Sequence, residues 1–230
     1  MNGIPTNEDQ IVYANCMDEI KRRTHAVHAI LQRTYSTLYP VTNIEFICLQ
    51  IRKILELIAL ASLASHKEEF AKQHQKFSEM WRAKKILEDL EQLNPGFYPV
   101  PTEQVRDQNG KVSEVRSISG PYLTKSDFVE VYQLCSGLLH AQNPYGPPKD
   151  LQQIEASIPG WMEKIKNLLN HHHVQLLSGK HQLWVLMHAE HDGKVYVHLF
   201  ERIDDPAKIK EFHEKKQQAE STLSSKAQTP

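Results

Sequence analysis

One segment restricts the choice of fold more than any other. From Ile44 to about His66 the chain is apolar on nearly every side of a helical projection, and it includes ILELIALASLA at residues 54–64. A helix without a polar face has no surface to offer water, so it belongs at the centre of a packed body. The run is too short to span a bilayer and carries Glu56. It therefore predicts a helical bundle with residues 44–65 as its most buried helix. The 230 residues, 40% hydrophobic and 24% charged, suit one domain or one domain with a small appendage.

The flanking segments supply the other helices. Residues 7–35 have helical periodicity, with Ile11, Met17, Ile20, Val27 and Leu31 as candidate core positions, and Tyr39-Pro40 ends that element. Thr42-Asn43-Ile44-Glu45 reads as a capping box at the start of the central helix. A charged helical pattern follows over 67–75, then a helix over 78–93 closed by Asn94-Pro95-Gly96. Thr124 with Asp127 opens a helix to about Ala141, with the stripe Phe128, Tyr132, Cys135 and Leu139. Residues 149–170 form a further amphipathic helix with a break expected at Pro159-Gly160.

Two stretches depart from the helical period. Between Phe97 and Ser119 two polar arms flank Gln108-Asn109-Gly110, which predicts an exposed hairpin inserted in the bundle. From His172 the pattern alternates, and VQLL, HQLWVLMHA and KVYVHLFER predict three antiparallel strands. With Asp192-Gly193 as a two-residue turn, Val185, Met187, Tyr196 and Phe200 share a face with Val174 and Leu176. Trp184, Leu186, Val197 and Leu199 then occupy the other. Two apolar faces need two covers, the helical body and either a partner subunit or the C-terminal segment. The expected organisation is a mainly α molecule: a helical bundle over 1–171, a small three-stranded antiparallel β appendage over 172–205, and a charged tail over 206–230.

Lysine and arginine number 27 against 28 acids, so no global basic field draws the chain to nucleic acid. Cys16, Cys48 and Cys135 are odd in number and embedded in apolar pattern, as expected of reduced thiols in the cytoplasm. MNGIPTNEDQ lacks the basic and apolar regions of a signal peptide, and no membrane association is expected. There is no phosphate-binding glycine loop, Cys-x-x-Cys, nucleophile elbow or paired-metal carboxylate signature. His171, His172 and His173 are consecutive and point in different directions, and His188 and His198 face opposite sides in the expected pairing. No metal or cofactor is therefore expected.

The candidate site lies on the helices. Arg52 and Glu56 are one turn apart on an otherwise apolar cylinder, with Glu45 on the same stripe, and burial requires that their charges pair. The pair reads either as a structural ion pair or as an arginine held in a cleft for an anion. His140 falls in the last turn of its helix, just before Asn143-Pro144-Tyr145-Gly146. The helix dipole favours an imidazolium there, which suits a stabilising cap and equally a general acid.

IRKILELIALASL, followed by a charged helix pair and then VYQLCSGLLHAQNPY, resembles the HEPN superfamily of helical bundles over roughly residues 10–170. Many of its members are dimeric, metal-independent ribonucleases of toxin–antitoxin and antiphage systems. The resemblance implies a homodimer acting on or binding RNA, with His140 at the histidine position and Arg52 or Glu56 at the polar position of the earlier helix. Family members carry an arginine four to six residues before the histidine. Here Gln133, Leu134, Cys135 and Ser136 occupy that stretch, and Arg52 is left to supply the charge. Two functions follow: an RNA-binding protein or degenerate ribonuclease in defence or stress, and a non-catalytic dimeric scaffold that binds a protein partner through its β strands.

Overall fold

The structure is a computed structural model that describes residues 4–73, 82–141, 143–203, 205, 206, 210 and 211. Its axis is α2 (Pro40–Ala64), which has thirteen buried residues, among them Ile51, Ile54, Leu55 and Ile58. Around it stand α1 (Asn7–Leu31), α3 (Lys67–Gln73), α4 (Ala83–Leu93), α5 (Lys125–Leu138) and α6 (Leu151–Leu169). Capping boxes start α1 at Thr6 and Asp9 and α5 at Thr124 and Asp127. In α1, Met17, Ile20 and Val27 are buried as expected. Ile11 and Leu31 are exposed, and Tyr13 and Ile30 take their places in the core. No helix among the described residues is long and apolar enough to cross a membrane. The first residues of the helix expected from Ser78, and most of the tail over 206–230, lie outside the described residues.

Three local expectations change. Pro40 opens α2 at its first turn, where its missing N–H has no partner to lose. Thr42 is inside the helix, donating to the Thr37 and Tyr39 carbonyls at 2.7 and 2.9 Å, so it caps nothing. Pro159 does not break α6, because it sits on the exposed side, where the carbonyl one turn earlier can turn to water.

The larger correction concerns the fold class. Among the described residues, six helices accompany one five-stranded antiparallel sheet, so the fold is mixed α/β and not a bundle with a three-stranded appendage. The strands are β1 (Val100–Arg106), β2 (Val112–Ser117), β3 (His171–Gln175), β4 (His181–Leu186) and β5 (Tyr196–Glu201), in the order β2-β1-β3-β4-β5. The hairpin is continuous with the C-terminal strands because Val100 pairs with His173 and Pro101 with His172. Its tip is polar, but Phe97, Tyr98 and Thr102 at its base are buried.

The register of β5 also differs. Val185 pairs with Val197 and Leu183 with Leu199, since the β4–β5 connection is wider than a two-residue turn and closes through Ala189 and Lys194. A change of register by an odd number of residues exchanges the faces of a strand. Val197 and Leu199 thus join Val174, Leu183 and Val185 against the helices. Tyr196, His198 and Phe200 turn to the opposite face with Trp184 and Leu186.

His172 ties the sheet to the bundle. It is fully buried, its Nδ1 donates to the Leu169 carbonyl at 2.8 Å, and its Nε2 accepts from the Tyr13 hydroxyl at 2.8 Å. Burial pushes its pKa down to about 4, so the folded protein holds it neutral. Its folded pKa lies below the unfolded value of about 6.5, so the unfolded chain binds the extra proton first. Stability is then full above about pH 6.5 and falls as pH drops toward 4, by roughly 3 kcal/mol from this residue. Burial depresses His171, His173 and His188 as well, with the same sign. In Asp9 and Asp127 burial is outweighed by hydrogen bonds from Thr6 and Lys67 and from Lys164 and Thr124, which places their titration below this window. Thermal melts between pH 7 and 4 should show the loss, and His172→Gln, though less stable at neutral pH, should show a shallower one. An equal slope in both proteins would remove His172 as its cause.

Candidate functional site

Arg52 and Glu56 meet as their spacing suggested. Arg52 Nε donates to Glu56 Oε1 at 3.1 Å, and the Tyr132 hydroxyl from α5 donates to the same oxygen at 3.3 Å. The guanidinium carbon lies 5.5 Å from the centre of the Tyr132 ring. Burial opposes the Arg52 charge, but Tyr132 and Glu56 outweigh it and raise its pKa. The guanidinium is thus held between a carboxylate and a ring.

His140 is elsewhere. Helix α5 ends at Leu138, and Lys149 Nζ covers its last carbonyls, donating to Leu138 at 3.0 Å and to His140. The exposed His140 lines a cavity of about 460 Å³ with Glu45, Val41, Lys149 and Leu151. Tyr132 precedes it by two turns of helix, roughly 12 Å along the axis. The structure therefore groups Arg52 with Glu56 and Tyr132, and His140 with Glu45. Arg52→Ala leaves Glu56 half-buried without its cation, and melts should show a loss of about 1–3 kcal/mol. His140→Ala should stay within about 0.5 kcal/mol of wild type.

The feature that residue spacing did not reveal is the sheet face turned away from the helices. Trp184 occupies its middle, with the His173 ring stacked on it at 4.9 Å and 23°. His171 lies 5.6 Å away on the same strand as His173, and Phe200 meets Trp184 edge-on at 6.2 Å. Tyr196 and His198 continue the row, stacked at 6.0 Å. Between this row and the β1–β2 hairpin is a concavity of about 630 Å³, whose far wall includes Gln104, Arg106, Val112 and Val115.

Polar groups hold the rings in place. His171 Nδ1 is 2.7 Å from the Thr102 hydroxyl, and its Nε2 is 3.3 Å from the Gln104 amide nitrogen, consistent with a neutral ring that donates to Thr102 and accepts from Gln104. Trp184 Nε1 donates to Gln182 at 2.9 Å, and Gln182 donates to Gln175 at 3.0 Å. His173 Nδ1 is buried without a hydrogen-bond partner among the described residues. Burial holds the pKa of both His171 and His173 down, so at neutral pH they act as uncharged rings. Arg106 is paired with Glu190 at 3.2 Å and bonds Gln104 and the Gly110 carbonyl. Among the described residues no three His, Cys, Asp or Glu side chains are grouped to hold a metal.

A platform of rings, edged by amide groups and one arginine, offers stacking to a flat ligand and hydrogen bonds to its rim. The traces in the sequence are Tyr196, His198 and Phe200 at alternate positions and the alternation of His171 and His173. Comparison with protein-family models, curated proteins and solved structures finds no match for this chain.

Proposed function

We propose that this is a HEPN-like, non-catalytic RNA-binding protein of the cytoplasm, which takes unpaired bases on the open face of its sheet. The observation that carries the reading is the stack on Trp184, with His173 at 4.9 Å and Phe200 at 6.2 Å, beside a concavity of about 630 Å³. Sequence-tolerant binding of single strands uses such rings, because every base has a face to stack, whereas bases in a duplex cover one another. Arg52 is committed to Glu56 and Tyr132, which favours a structural over a catalytic role for that pair. The kinship with HEPN domains is supported by the packing of α2 on α5, the two helices that carry the resemblance, through Glu56 and Tyr132. The cytoplasmic setting is supported by three free cysteines.

The test is fluorescence titration with short single-stranded oligo(U) and oligo(A), and with a duplex of the same length. Single strands should bind and the duplex should not. Trp184→Ala should weaken binding roughly five- to 150-fold, the equivalent of about 1–3 kcal/mol for a stacked base. Because Arg106 is already paired with Glu190, the affinity should fall only shallowly with salt. Wild-type protein that binds no single strand at low salt, or unchanged affinity in Trp184→Ala, would defeat the reading.

A second reading rests on Val100, Val112, Val115 and Phe200, which expose apolar surface on the same face. A second copy laid face to face would cover them and make the homodimer of the scaffold function. Sedimentation velocity over a range of concentrations should then give a dimer that Trp184→Ser with Phe200→Ser converts to monomer. A wild-type monomer throughout would leave the face to RNA.

A further inference from the structure

A separate cavity of about 600 Å³ opens between α1, α6 and the end of β4, and none of its lining residues is on α5. Its floor is apolar and buried: Ile20 from α1, Met162, Ile165 and Leu169 from α6, and Met187 after β4. Its rim is different in kind. Lys21, His25 and His28 stand along one stripe of α1, Lys166 lies on α6, and His188 follows β4. The acids nearby are few: Glu163 lines the cavity, and Asp18 lies 3.6 Å from Lys21. Lys21 also donates to the Gly193 carbonyl at 2.6 Å, which fixes its ammonium at the mouth. His188 is held below its ordinary pKa by burial and then by the charge of Lys21.

A buried apolar floor with Lys21 and Lys166 at its rim is complementary to a molecule with an apolar body ending in an anion. The volume falls within the roughly 300–1,000 Å³ of small-molecule sites. We infer that the α1–α6 cavity binds a small amphipathic anion, its aliphatic body against Met162, Ile165 and Met187 and its carboxylate between Lys21 and Lys166. The floor supplies the affinity by removing apolar surface from water, and the rim selects the sign of the head group. The inference is independent of RNA binding, since the residues invoked are on neither the ring row nor the hairpin.

Isothermal titration of the full chain with octanoate, 1-octanol and octylammonium tests it, because the three share a tail and differ in head-group charge. Octanoate should bind with one-to-one stoichiometry, 1-octanol about tenfold or more weaker, and octylammonium not measurably. Lys166→Met changes an exposed side chain and should bring octanoate toward the affinity of 1-octanol. Thr24→Trp should block the cavity from its α1 wall, with a thermal melt confirming that the variant is folded. Trp184→Ala should bind octanoate as wild type does, which separates this site from the sheet face. Equal affinity for octanoate and 1-octanol would reduce the cavity to an unselective apolar hollow and overturn the proposal. So would absence of octanoate binding, or unchanged binding in both Lys166→Met and Thr24→Trp.

Discussion

Three consecutive histidines on β3 divide between the two faces of the sheet, and both faces are organised around that division. A strand alternates its side chains with period two, so His172 must point opposite to His171 and His173. His172 goes inward, neutral, with both ring nitrogens engaged by Tyr13 and Leu169. An imidazole can occupy the core on those terms because neither nitrogen is left without a partner. His171 and His173 then go outward, and both of their rings meet Trp184. The same strand pairs with β1 on one side and β4 on the other, so the inserted hairpin and the C-terminal strands become one sheet through it.

The join between helices and sheet is polar as well as apolar. Val174, Leu183, Val185 and Leu176 complete a core that begins on α2. At one end of the sheet the Asn94 amide reaches both His66 and the Gln175 carbonyl, each at 2.8 Å, while its carbonyl oxygen accepts from Gly96. Gly96 is in place because a β-carbon there would come within 3.2 Å of Gln175. Apolar contact sets how much surface is buried, whereas such hydrogen bonds set orientation, because a misplaced one would strand a polar group away from water. The open face owes its geometry to this orientation, as its rings are spaced by the strands that carry them.

The charged groups of the helices serve a different end from the rings of the sheet. Arg52 and Glu56 lie on a helix with little polar surface, and with Tyr132 they neutralise one another where α2 meets α5. Such a triad keeps two charges in a mostly apolar interface at low cost, but it leaves the arginine fork less available for a phosphate. On the sheet, by contrast, burial keeps His171 and His173 uncharged, and a flat ligand meets polarizable surface instead of a fixed charge.

Periodicity was sufficient for the elements whose signal is local. The burial of α2 followed from its lack of a polar side, the Thr124–Asp127 box from capping chemistry, and the Arg52–Glu56 pair from one turn of helix. Strand pairing is not local. Val100 meets His173 only because the folded helices bring distant segments together, and a polar hairpin tip conceals a buried base at Phe97 and Tyr98. The turn after β4 departs from its local signal for a related reason: Asp192-Gly193 has the composition of a tight turn, but the burial of Val197 and Leu199 against the helices favours the wider connection. That choice moved Tyr196, His198 and Phe200 to the face of Trp184 and so created the ring platform. Local pattern is enough to mark helices and strands and to bury α2, because these depend on residues a few positions apart, but in α1 it points to Ile11 and Leu31 where the fold buries Tyr13 and Ile30. The joining of hairpin and strands, the register of β5 and the outward row of rings were decided by the tertiary structure, where packing selects among pairings that local chemistry leaves equal.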